Sequence, residues 1–130
     1  MVLKRQFLWR INMPKFMIIP REQPKGLTAS PAEMEKILQK YMAWTANLAK
    51  AGKLDHGNKL KDGQGRVVGV FGGEKGPKVT VTDGPHMESK EIMGGYWVLN
   101  AADYNEAQAL VMDCPHLQFG TLEIRQVDEM

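Results

Sequence analysis

The chain predicts an α+β fold, and three features of the sequence lead to it. A capped amphipathic stretch follows a short apolar run near the start, a second and shorter helical pattern comes late, and β-rich runs fill the space between and after them. In order, these alternate as strand, helix, strand, strand, helix, strand, with an extra hairpin lodged after the second strand.

Phe16 to Ile19 is a continuous apolar run closed by Pro20, which is how a strand buried on both faces reads. Ser30, Pro31, Ala32 and Glu33 then supply a cap, a first-turn proline and a glutamate able to fold back on the cap. Met34, Ile37, Leu38, Tyr41, Thr45 and Leu48 recur at steps of three and four, and Gly52 gives a stop, so a helix of about 20 residues and about 30 Å is expected. Lys53 to Leu60 is a weaker strand followed by a turn at Asp62 and Gly63. Val67 to Phe71 and Val79 to Thr82, separated by Gly72, Gly73, Gly76 and Pro77, make a hairpin that ends at Asp83, Gly84 and Pro85.

Gly94 to Leu99 is apolar on both faces, with Tyr96 and Val98 on one and Trp97 and Leu99 on the other. Asp103 and Glu106 repeat the capping logic for a second helix through Ala107, Leu110 and Val111, which Pro115 ends. In the closing strand, Phe119 to Val127, Leu122 and Ile124 alternate with Thr121, Glu123 and Arg125.

Without the hairpin, this order is the βαββαβ arrangement of a ferredoxin-like fold, whose central strands are the first and third. Those are the two strands that read as doubly buried. Two helices roof one face of a four-stranded antiparallel sheet, so either Tyr96 with Val98 or Trp97 with Leu99 lies on the face left open. A second copy of the chain is the expected cover, and the inserted hairpin folding back over that face is the alternative.

At 130 residues, 43% hydrophobic and 25% charged, the chain suits one globular domain, and no apolar run approaches the roughly 18 residues of a membrane span. Lys4, Arg5 and Arg10 fall within the first twelve residues, so the formal charge of +2 becomes −1 for the remainder. The body offers no basic footprint for nucleic acid. Cys114 is the single cysteine, which excludes an internal disulfide and fits a reducing, cytoplasmic setting. Residues 1 to 12 read as an extension or frayed arm without a catalytic part, and 13 to 130 as the domain.

Val79 to Asp83 followed by Gly84 and Pro85, with Glu88, Lys90, Glu91, Gly94, Gly95 and Tyr96, resembles the YCII-related family, in the branch marked by an Asp-Gly-Pro-Phe motif. Lys15 to Met17, Ser30 to Met34, Ala51 with Gly52, and the ending at Cys114, Pro115, Gly120, Glu123, Ile124 and Arg125 agree with it. His86 stands where the motif has phenylalanine. The resemblance implies a dimeric α+β barrel of ferredoxin-like subunits. It also implies small-molecule chemistry by a histidine and an aspartate, with one branch associated with dehalogenation of chlorinated rings and some relatives labelled as transcription-associated. The histidine of the wider family lies near the first helix, and this chain's first helix has none.

Asp83 is the leading candidate, a carboxylate at a strand end with its backbone fixed by Gly84 and Pro85. The same residue is also an ordinary turn former that bonds its own backbone. His86, three residues on, and His116, beside Pro115, are its candidate acid–base partners. Arg125 either clamps an acidic ligand or pairs with Glu123, and Tyr96 with Gly84 and Pro85 completes the expected ligand-binding set. His56, next to Asp55, reads as an exposed edge residue. Cys114 ends a helix, where the dipole opposes a thiolate, and reads as buried and inert. No two histidines stand at a metal-binding spacing, no cofactor motif is present, and Gly72 with Gly73 lacks the lysine and serine of a phosphate loop.

Two functions remain open: a dimeric enzyme in which Asp83, with His116 or His86, moves a proton on a small molecule, and a non-catalytic dimeric ligand-binding or regulatory module. The first requires these side chains to converge on a pocket. The second predicts that Asp83 bonds only backbone amides and that an exposed apolar patch persists after dimerisation.

Overall fold

A computed structural model describes residues 13–22, 30–61, 63–73, 76–83 and 92–129. Among the described residues, seven strands and two helices follow in the order β1 (Lys15–Glu22), α1 (Pro31–Lys50), β2 (Leu54–Lys59), β3 (Arg66–Gly73), β4 (Gly76–Asp83), β5 (Ile92–Met93), β6 (Gly95–Asn100), α2 (Tyr104–Val111) and β7 (Gly120–Gln126), with a 3-10 turn over Pro115–Gln118. The mixed α+β class expected from the sequence is what forms.

All strand pairs are antiparallel. β1 lies between β7 on one side and β6 with β5 on the other, and β2 pairs with the far edge of β6. The two strands that read as apolar on both faces are therefore the inner ones. β1 runs further than the sequence suggested, because Pro20 does not end it. Pro20 falls where β1 leaves β6, after Ile18↔Trp97, and before it meets β5 at Arg21↔Met93. At that break a missing backbone N–H costs no ladder bond.

Both helices are capped as their sequences indicate: Ser30 Oγ accepts the Glu33 N–H at 3.3 Å, and Asp103 Oδ1 accepts the Glu106 N–H at 2.9 Å. The core joins Phe16 and Ile18 of β1, Leu99 of β6, Trp44 and Leu48 of α1, and Ala107 and Val111 of α2. The expected helix stripe faces the core from Ile37 onward, with Tyr41 and Thr45 partly buried and Trp44 added to it. Trp44 and Leu48 are buried while Met34 and Leu38 are exposed, so α1 leans on the core with its C-terminal half.

Register settles which aromatic side chains face the helices. Phe16 pairs with Leu99 and Ile18 with Trp97, so Trp97 and Leu99 share the helix side with these core residues. Tyr96 and Val98, one position out of phase, lie on the other side with Met17 and Ile19. The inserted hairpin forms as a separate sheet of β3 and β4, with Val68↔Val81 and Val70↔Val79 in register on one face and all four exposed.

Candidate functional site

His116, one of the three expected acid–base residues, sits in the 3-10 turn against the start of β7 and is 6% exposed. Its Nε2 lies 3.0 Å from the Arg21 carbonyl oxygen, and its Nδ1 3.4 Å from Tyr41 Oη. A carbonyl only accepts, so Nε2 carries a proton, and in the neutral ring Nδ1 then accepts from the tyrosine. Both ring nitrogens are engaged. The turn comes this close because Gly120 follows it: a Cβ there would collide with the Arg21 carbonyl and lie 3.0 Å from His116 Nε2.

Around this ring the helix side of the sheet is aromatic. Tyr41 stacks on Trp97 with centroids 6.1 Å apart, Trp44 meets Trp97 edge-on at 5.0 Å, and the Trp44 indole N–H donates to Asp113 Oδ1 at 3.1 Å. Cys114 lies buried beside them, and burial pushes its thiol up to about 11. Its burial is as the sequence suggested.

Asp83 is the last residue of β4, opposite Arg66, so it stands at a strand end as expected. Its side chain, and Gly84, Pro85 and His86, lie outside the described residues. Tyr96 and Arg125 share the face of the sheet turned away from the helices, Arg125 directly opposite Met17. His116, packed on Tyr41 and α1, is on the other side from that pair. Glu123 does not pair with Arg125 inside the chain; Arg21 Nε, opposite Thr121 on the same face, reaches Glu123 Oε2 at 3.4 Å. Among the described residues Arg125 is exposed and makes no hydrogen bond or ion pair.

The open face holds a cluster that sequence reading passed over. Asp55 Oδ2 is 2.7 Å from His56 Nδ1, and Asp55 Oδ1 is 3.1 Å from Lys15 Nζ on β1. The His56 ring meets Tyr96 edge-on at 5.7 Å, and Asn58 Nδ2 donates to Tyr96 Oη at 3.0 Å. The hydrogen bond from His56, then the one from Lys15, holds the Asp55 carboxyl below its ordinary 3.8. From the sequence, His56 next to Asp55 read as an exposed edge residue, and adjacent residues in a regular strand point to opposite faces. A register shift between Leu54 and His56 removes that alternation.

Among the described residues no three His, Cys, Asp or Glu side chains gather to hold a metal ion, and no helix is long and apolar enough to cross a membrane. A groove of about 390 Å³ between Met13, Pro14 and residues 126–129 contains none of the groups above. Comparison with curated proteins finds no match. The family comparison does: the model of the YCII-related domain matches residues 14–130, nearly the whole chain and both faces of its sheet, so the chain belongs to that family.

Proposed function

We propose that the chain is one subunit of a cytoplasmic homodimer of ferredoxin-like folds that holds a small molecule between two facing sheets and transfers a proton on it. The observation that carries this reading is the open face. Met17, Ile19 and Tyr96 are only half-buried there and Val98 sits among them, while both helices pack on the opposite side. An inner pair of strands with an apolar outer face calls for a second layer, and a second copy of the same sheet supplies one. The strand order β7, β1, β6, β2 supports the ferredoxin-like assignment.

Charged and hydroxyl groups surround that apolar centre. Arg125 is placed to meet an acidic ligand group, and Asp83, Gly84, Pro85 and His86 remain the motif-bearing partners, in keeping with the Asp-Gly-Pro-Phe branch. His116 serves as a positioning residue, because it is buried on the helix side of the sheet with both ring nitrogens hydrogen-bonded within the chain.

Sedimentation of the purified chain tests the assembly, with a mass twice the 14.6 kDa of one chain expected. Thermal shift against a metabolite set tests the ligand: a compound at 100 times its Kd stabilises the folded state by about 2.7 kcal/mol. Loss of that shift in Asp83→Asn and in Arg125→Gln supports the reading. A monomer with no ligand-induced shift refutes it.

A further inference from the structure

β2 pairs with β6 as Leu54↔Leu99 and then, one extra residue later, as His56↔Val98. Such a bulge bends the strand and re-aims a side chain, and here it brings Asp55 alongside His56 and within reach of Lys15. With one Asp55 oxygen on Lys15 and the other on His56, the ionised carboxylate only accepts, so His56 Nδ1 carries a proton, and in the neutral ring the lone pair is the one on Nε2. The His56 side chain is 51% exposed. Next to it, Tyr96 Oη accepts from Asn58, which leaves the phenol's own proton to donate elsewhere. A proton acceptor and a hydroxyl donor thus stand side by side, with ring centroids 5.7 Å apart, on the open face of the sheet.

We propose that this bulge is an acid–base site for enolisable carbonyl compounds, in which His56 Nε2 removes a proton from the carbon beside a carbonyl whose oxygen is hydrogen-bonded by Tyr96. The C–H electron pair becomes the new C=C bond and the carbonyl π pair moves onto oxygen, where the Tyr96 hydroxyl holds the developing charge. The proton on Nε2 returns to either end of the enolate, so the net reaction is an exchange or an isomerisation without oxidant, reductant or second substrate. Asp55 and Lys15 are positioning residues that fix the ring and its tautomer. The proposal rests on the open-face reading for the enclosure of the site, and not for its groups.

The test uses the full chain in D₂O with butanone and 2-oxobutanoate as probes, following loss of the C3–H signals by proton NMR. Exchange proportional to protein concentration is expected, falling about 10²-fold in His56→Gln and Asp55→Asn, the lower end of what general acid–base groups contribute. In the long-range ¹H–¹⁵N spectrum His56 is expected to carry its proton on Nδ1, and to lose that preference in Asp55→Asn, a readout that needs no substrate. Exchange of both probes no faster than in buffer, equal rates in His56→Gln, or a wild-type proton on Nε2 overturns the proposal. The dimer is read separately by sedimentation: a dimer without exchange removes this site and keeps the assembly, and an exchanging monomer does the reverse.

Discussion

Gly120 shows how one residue sets the rim of the sheet. With no side chain it lets β7 start under the Arg21 carbonyl, and it leaves room for the His116 ring to bond the same oxygen. Gly120→Ala forces backbone and ring apart and is expected to lower unfolding free energy by about 2–3 kcal/mol, measured by urea denaturation. Asp55 gives a pH-dependent counterpart. Its carboxyl is held below 3.8 by His56 and Lys15, so its contribution is present above about pH 4 and is lost as pH falls through the lowered value. Urea midpoints of wild type and Asp55→Asn are therefore expected to differ at pH 6 and to converge toward pH 2. The two residues were legible to different degrees. Gly120 belongs to the family-like ending, whereas His56 beside Asp55 read only as an exposed edge residue, and the bulge is what joins the pair to Lys15.

At the level of elements, boundaries followed local chemistry closely. Ser30 and Asp103 cap where they were expected to, since a cap needs only its own backbone three residues on. The expected face of α1 is the one that goes inward, with Leu48 buried and Ile37, Tyr41 and Thr45 partly so, while Trp44 joins it and Met34 and Leu38 remain outside. Periodicity names a helix and its inward face, while the neighbours decide how far along that face is covered. The hairpin illustrates the opposite balance. β3 and β4 pair along their full length, yet among the described residues none of theirs joins the core, and Val68, Val70, Val79 and Val81 are each more than half exposed. A two-stranded ribbon is marginal in isolation. Its amide hydrogens are expected to exchange faster than those of β1 and β6, with protection tracked by mass spectrometry or NMR.

For the molecule as a whole, the sheet order makes the outer face the deciding surface. Ile19 sits on β1 opposite Glu123, on the side away from the helices and only half-buried, so a charge placed there leaves the core untouched. Ile19→Asp is expected to keep the circular dichroism of the wild type and to shift sedimentation from two chains toward one at micromolar concentration. Unchanged mass in that variant removes this face from the interface. The same surface carries Arg125, Tyr96, His56 and Asp55, so a ligand seated there meets groups from β7, β6 and β2 together.

The sequence by itself determined the α+β class, the two caps, the inner position of β1 and β6, the separate hairpin and the family, because each depends on short-range pattern or on a motif read in order. Only the tertiary structure decided that Trp97 and Leu99 turn toward the helices and Tyr96 and Val98 away, that His116 is bound at both nitrogens, and that Asp55 meets His56 and Lys15. The reason is geometric. Alternation along a strand leaves two choices of face with equal local cost, and one extra residue in β2 or a carbonyl on a neighbouring strand breaks the tie through contacts that lie far apart in the chain.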